Sequence, residues 1–178
     1  MKTRGFEIVT KYADDVSLPV RSTKSSAGYD LAAAEDFVLP SIWKSGFLKV
    51  LWLIRHGKTV NEDELTQANK ILKPYLIPTG IKAYMQDNEF LLLANRSSSP
   101  LKRGLILPNG IGVIDSDYYN NQNNEGEIFI QIVNFSLKDQ IVKKGDRVGQ
   151  GIFMPFLTVD DEKVTSTKRV GGFGSSGK

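Results

Sequence analysis

Two aspartates flank a serine in an otherwise apolar run, Ile114-Asp115-Ser116-Asp117-Tyr118. Placing a carboxylate beside an apolar strand is costly and needs a reason, which makes Asp115 a candidate general base. Asp30, in Ala27-Gly28-Tyr29-Asp30-Leu31, reads either as a turn aspartate or as a carboxylate that organises a metal. Arg96-Ser97-Ser98-Ser99-Pro100 reads either as a solvated loop or as a set of phosphate-binding donors; Gly145-Asp146-Arg147 alone is an ordinary hairpin turn. The C-terminal run from Gly171 through Phe173 to Lys178 cannot hold a packed core, and taken alone such a run is a flexible end with one aromatic anchor. Together the clusters supply a metal-organising carboxylate, Arg and Ser groups for phosphate, a base and a Gly-rich flap. Those are the parts of a Mg²⁺-assisted phosphate hydrolase.

The elements that must position these groups are mostly short strands. Phe6 to Val9, Glu89 to Ala94, Glu127 to Val133 and Gln150 to Phe156 are candidates, and Ile128, Ile130 and Ile132 share one face at period two. Pro155 marks an edge or a strand end. Turn chemistry recurs at Pro108-Asn109-Gly110, across Asn120 to Asn124, and at Lys144-Gly145-Asp146. Many short strands with few helices predict an all-β sandwich or barrel. One helix is expected over 61–74: Asn61 is an N-cap with Glu64 three residues on, Leu65, Ala68 and Leu72 form a stripe, and Pro74 ends it.

Composition narrows the chemistry. The chain has 178 residues, 40% hydrophobic and 24% charged, enough for one globular domain. A net charge of +3 is too small for a nucleic-acid footprint, so no nucleic-acid partner is expected. With no cysteine, disulfides, thiolate chemistry and Cys-ligated zinc are excluded. The charged N-terminus is followed by no apolar signal region, and the longest apolar run, Val50 to Ile54, is far short of a membrane span. A cytoplasmic chain with no membrane association is the expectation.

In order and spacing, five of these clusters resemble the five motifs of the trimeric dUTPase family, in the variant of Gram-positive bacteria and their phages. They are Ala27 to Leu31, Arg96-Ser97-Ser98, Asn109 to Tyr118, Gly145 to Gln150, and Arg169 to Gly177. The resemblance implies a distorted antiparallel jelly roll, the dUTPase-like β-clip, as a single domain over 1–168 with a Gly-rich lid over 169–178. It implies a homotrimer with shared active sites, in which motifs one, two and four come from one chain, motif three from a second and the lid from a third. The implied activity is hydrolysis of dUTP to dUMP and pyrophosphate, which limits uracil in DNA and supplies dUMP for thymidylate synthesis.

Roles follow from the same resemblance. Asp115 would activate the water, with partial burial beside Ile114 raising its pKa into a useful range. Asp30 would hold a hydrated Mg²⁺ through water. Arg96, Ser97 and Ser98 would contact phosphate oxygens or support the site, and Gln150 would bond the phosphates or the attacking water. Backbone near Asn109 and Gly112 would read uracil, Tyr118 would pack on the deoxyribose and exclude a 2′-hydroxyl, and Phe173 would stack on the base. Arg169, with Gly174, Ser175 and Ser176, would grip the γ-phosphate; Lys168 holds the usual position of that arginine.

Departures and alternatives remain on the sequence. Ser98 stands where the family has glycine, and Tyr119 to Gly126 is longer than the common turn. A dCTP deaminase of the same fold would use Glu127 as its acid. Leu53 to Thr59 contains the Arg55-His56-Gly57 of histidine phosphatases, but His56 is the only histidine and that chemistry needs two; His56 is expected at a surface or strand end. Roughly 41–75 reads as an insertion holding Trp43, Trp52, the apolar stretch Phe47 to Ile54 and the helix. It is expected to be a helix–strand appendage packed outside the β domain, either as a satellite cluster on its own subunit, or supporting the trimer or offering a site for a protein partner, as in a dUTPase with an added regulatory role.

Overall fold

Period-two alternation decides which side chains enter the interior. In Glu89–Ala94, Leu91 and Leu93 are buried while Phe90 and Leu92 are partly exposed. The computed structural model describes residues 2–163. Among them the strands are Gly5–Ile8 (β1), Val20–Arg21 (β2), Tyr29–Ala32 (β3), Phe37–Leu39 (β4), Tyr75–Pro78 (β5), Ile81–Tyr84 (β6), Glu89–Ala94 (β7), Leu105–Ile106 (β8), Ile111–Asp115 (β9), Phe129–Asn134 (β10), Gln140–Val142 (β11) and Arg147–Pro155 (β12). Ser45–Arg55 (α1) and Glu62–Leu72 (α2) are α-helices.

The strand pairings are antiparallel. A five-stranded sheet runs β2-β3-β12-β7-β9; a three-stranded sheet runs β5-β10-β8; β1 pairs with β6 and β4 with β11. The mostly-β expectation holds. Leu31, Leu39, Ile77, Leu91, Ile128 and Val142 reach zero exposure in one core between these sheets. Pro155 closes β12 opposite Glu89, so it is a strand end.

The register of the five-stranded sheet has a consequence for its outer face. Residues directly opposite one another point the same way. Asp30, Gln150, Ala94 and Ile111 therefore form one outward row, Ile152, Leu92 and Val113 the next, and Met154, Phe90 and Asp115 a third. Half of Ile111 and of Val113 is exposed, so this face is apolar and bears three of the candidate site residues.

The segment 41–75 departs from the expectation. Its apolar stretch is not a strand: it is α1, which pairs with α2 as a helical hairpin. Val50 and Ala68 are buried, and Lys49 Nζ bridges to Glu64 Oε1 at 2.5 Å. α2 starts as expected, with Asn61 Oδ1 accepting from Glu64 N–H at 2.8 Å in a complete capping box. Trp43 ties the hairpin to the β domain, donating Nε1–H to the Phe135 carbonyl at 3.0 Å with ring centroids 5.3 Å apart. The burial expected of the segment is partial, because Leu48, Leu51, Trp52 and Ile54 on α1 stay exposed. His56 is the C-cap of α1 rather than a strand end, with its ring stacked on Trp52.

Candidate active site

β3 and β12 bring the first groups together. Asp30 lies opposite Gln150, and a bulge between Arg147 and Gly149 lets the start of β12 turn Arg147 back over the same carboxylate. Asp30 Oδ1 accepts from Arg96 Nε at 3.0 Å; Oδ2 accepts from Arg147 Nη1 at 3.1 Å and from Ser22 Oγ at 3.0 Å. The Asp30 side chain is only 12% exposed. The turn-aspartate reading therefore fails: Asp30 is a strand residue held by two guanidiniums. Gln150 donates Nε2–H to the Asn95 carbonyl at 3.2 Å. Its other amide atom crosses Gly28 so closely that a Cβ there would come within 2.4 Å of Oε1 and would displace the Gln150 amide.

Arg96 leaves the end of β7 and opens the Ser97-Ser98-Ser99 turn, where Ser97 is exposed, Ser98 half-buried and Ser99 buried. A π-helical turn over Ser99–Arg103 follows. It presents Lys102 and Arg103 to a cavity of about 140 Å³ that Arg96, Ser98 and Arg147 also line. Arg103 Nη1 donates to Asp146 Oδ2 at 3.3 Å. Four cations thus surround the cavity against the carboxylates of Asp30 and Asp146, an electrostatic balance suited to a polyanion. Arg147, Lys102, Arg103 and Ser22 are not among the site residues read from the sequence. For Arg147 the signal was present in Gly145-Asp146-Arg147, masked by its resemblance to a plain turn.

The remaining candidates stand apart from this cluster within one chain. Asp115 ends β9 opposite Phe90 and is exposed, so a single subunit does not supply the partial burial expected of it. Three strand spacings and four residues along the strand separate it from Asp30, a span of roughly 20 Å. Asn109 is exposed in the turn before β9, and Gly112 faces Leu93 across the strand pair. Tyr118 is only 5% exposed, with its hydroxyl donating to the Glu127 carbonyl at 3.0 Å. It is thus part of its own hairpin's interior. Arg169, Phe173, Gly174, Ser175, Ser176 and the alternative Lys168 lie outside the described residues.

The model of the family described as dUTPase matches residues 63–177. The chain belongs to the dUTPase family. The deoxyuridine 5′-triphosphate nucleotidohydrolase of Lactococcus lactis is 46% identical over 99% of both chains. The dUTPase of Streptococcus mutans superposes with a TM-score of 0.68 at 42% identity, over 88% of this chain and 98% of that one. A dUTPase from phage phi11 of Staphylococcus aureus, whose structure reveals the coordination of a structural Mg(II) ion, shares the fold with a TM-score of 0.59 at 18% identity, over 93% of this chain and 99% of that one. Membership of the dUTPase family displaces the two rival enzymes. Glu127, the acid of the deaminase reading, is buried with Oε1 accepting the Gly80 N–H at 3.2 Å, and desolvation pushes its carboxyl above the ordinary range. His56 bonds the Trp52 carbonyl through Nδ1 at 2.7 Å on an exposed helix end, a capping role and not a phosphorylation site.

Proposed function

We propose that this chain hydrolyses dUTP to dUMP and pyrophosphate, limiting uracil in DNA and supplying dUMP for thymidylate synthesis. The observation that carries the reading is the Asp30 carboxylate, clamped by Arg96 and Arg147 beside a four-cation cavity and opposite Gln150. The donor set fits Mg²⁺. Among the described residues no group of three or more His, Cys, Asp or Glu could cage a metal. Mg²⁺ keeps several waters and takes one or two carboxylates plus substrate phosphates, which is what Asp30 beside a polyanion cavity offers. When bound, the ion would offset the charge of the triphosphate.

Asp30 would hold the hydrated ion through water. Arg96, Ser97 and Ser98 take phosphate oxygens, and Gln150 bonds a phosphate or the attacking water. Asp115 is the general base that accepts the water's proton as the α-phosphorus is attacked. Backbone at Asn109 and Gly112 reads uracil, and Tyr118 walls off the 2′ position. Residues 1–168 form the β domain; Arg169, Phe173, Gly174, Ser175 and Ser176, in a lid over 169–178, close on the γ-phosphate and the base.

Assembly belongs to the same proposal. Asp30 and Asp115 cannot meet within one chain, and the sheet face between them is apolar and uncovered. A homotrimer of distorted jelly rolls, with Asp115 delivered to a neighbour's Asp30, resolves both facts. The test is pyrophosphate release from dUTP, dTTP, dCTP and UTP with Mg²⁺, alongside ammonia release from dCTP. Selective cleavage of dUTP is expected; ammonia production, or equal cleavage of all four, would overturn the proposal. The exposed row on α1 supports an added binding role for the hairpin. Replacing 44–73 by a short turn should spare dUTP hydrolysis while altering stability or a partner interaction, and loss of dUTP affinity in a stable assembly would place the hairpin in the active site instead.

A further inference from the structure

The asparagine-rich loop after Tyr118 folds back onto that residue. The Tyr118 hydroxyl is used in both directions: it donates to the Glu127 carbonyl and accepts from Asn124 Nδ2 at 2.8 Å. The orientation of the Asn124 amide follows from its other contacts, because its Oδ1 accepts from Gly126 N–H at 3.2 Å and from Asn121 Nδ2 at 2.9 Å. Asn121, itself buried, donates to the Tyr118 carbonyl at 2.9 Å, and its Oδ1 takes the N–H groups of Asn123 and Asn124 at 3.0 and 3.2 Å. Two amides therefore hold Tyr118 by its hydroxyl and by its main chain.

The backbone is committed to the same arrangement. Asn120 and Glu125 adopt left-handed φ values of 54° and 58°. Such conformations persist in non-glycine residues where their surroundings over-determine them. Gly126 has φ 85°, and a Cβ there would lie 2.6 Å from the Tyr118 carbonyl oxygen. The loop is also pinned from outside. Lys82 Nζ donates to Asn120 Oδ1 at 2.7 Å and to Glu125 Oε2 at 3.2 Å, and Thr10 Oγ1 donates to Glu125 Oε2 at 3.0 Å.

We propose that Asn124, supported by Asn121, is a positioning residue that locks the Tyr118 ring and thereby sets discrimination between dUTP and UTP. The inference rests on the reading of Tyr118 as the wall beside the sugar. A wall that excludes one hydroxyl works only if it does not move, since a displacement of about 1 Å would undo its placement. Only 5% exposed, Tyr118 acts by where it is fixed.

The test is the ratio of kcat/KM for dUTP to that for UTP in the full-length enzyme. Asn124→Asp keeps the acceptor for Gly126 and removes the donor to the Tyr118 hydroxyl; Tyr118→Phe removes that bond together with the one the hydroxyl donates to the Glu127 carbonyl. Each should lower the dUTP:UTP ratio about three- to tenfold, the range set by one net hydrogen bond. Asn124→Asp should have no further effect in the Tyr118→Phe background, which a general loss of stability would not produce. A wild-type ratio in Asn124→Asp with a lowered ratio in Tyr118→Ala would overturn the lock and leave the sugar-wall reading standing. Wild-type ratios in both would overturn both, and independent multiplying effects of Asn124→Asp and Tyr118→Phe would also refute the lock.

Discussion

Asp30→Asn separates a metal-organising carboxylate from a structural one. Asparagine keeps one acceptor, which turns toward Arg96 Nε, the better-shielded partner with a side chain 23% exposed. A hydrogen bond to a charged group in such a place contributes about 1.5–3 kcal/mol, and this one survives in neutral–charged form. The new amide then faces Arg147 and Ser22. The Arg147 side chain is 54% exposed and free to turn toward water, so losing that pair costs about 0.2–1 kcal/mol after solvent screening. The Ser22 hydroxyl can accept from the amide where it formerly donated. The net loss should stay near 1 kcal/mol, a fall in Tm of about 2–4 °C for a domain of this size. Activity should fall far more, by about 10²-fold or beyond, because charge stabilisation worth several kcal/mol is lost with the carboxylate. Thermal melting without nucleotide and pyrophosphate release across a Mg²⁺ titration measure the two effects. The reasoning is refuted by an unchanged rate and Mg²⁺ dependence, or by a fall in Tm above about 10 °C with residual activity matching the folded fraction.

Other substitutions probe the remaining assignments. Asp115→Asn should leave the melting temperature unchanged and reduce dUTP turnover by about 10²–10⁴-fold, and near-normal turnover would remove Asp115 from its role as base. Truncation after Lys168 should cut turnover with little change in Tm; a wild-type rate would make 169–178 a plain tail. Asn61→Ala removes the α2 cap at a local cost of about 0.5–2 kcal/mol, visible as faster amide exchange in α2 with dUTP hydrolysis intact. Glu127→Gln tests a pH dependence. Because burial raises the folded-state value, the native protein binds that proton more tightly than the unfolded chain does. Its stabilising contribution is complete below the ordinary carboxylate range and is lost as pH rises through the raised folded value. The Tm of the Gln variant relative to wild type should therefore climb as pH rises above the ordinary carboxylate range, and a flat difference would show that Glu127 ionises freely.

Local signals carried the fold where two of them agreed. β7 was readable to its bounds because alternation coincided with flanking turn chemistry, and α2 because its cap, stripe and terminating proline all marked one helix. α1 was missed. Its run from Phe47 to Ile54 is apolar on nearly every side, which does not distinguish strand from helix, and Lys44 offers no side-chain cap. The one available signal was Gly57 at φ 61°, a helix-stop glycine just after His56. At the proposed site, Asp30, Arg96 and Gln150 were named from the resemblance of their motifs, and the structure brings the three together around β3, β7 and β12. The Arg147–Asp30 pair was not legible, since it joins residues 117 positions apart. The amide network around Tyr118 was equally hidden, because a run of asparagines looks the same in a sequence whether it is solvated or folded onto a neighbour.

The uncovered face of the five-stranded sheet ties catalysis to mass action. Asp30, Gln150 and Asp115 sit on that face, so in the proposed trimer covering it and completing a site would be one event. In the proposed trimer, subunit affinity and nucleotide affinity are then linked quantities. A ligand that binds only the completed site stabilises the assembly by RT ln(1 + [L]/Kd) at each site, about 2.7 kcal/mol at a hundredfold excess over Kd. Total activity should therefore fall more steeply than enzyme concentration on dilution, and substrate should restore it by drawing subunits together.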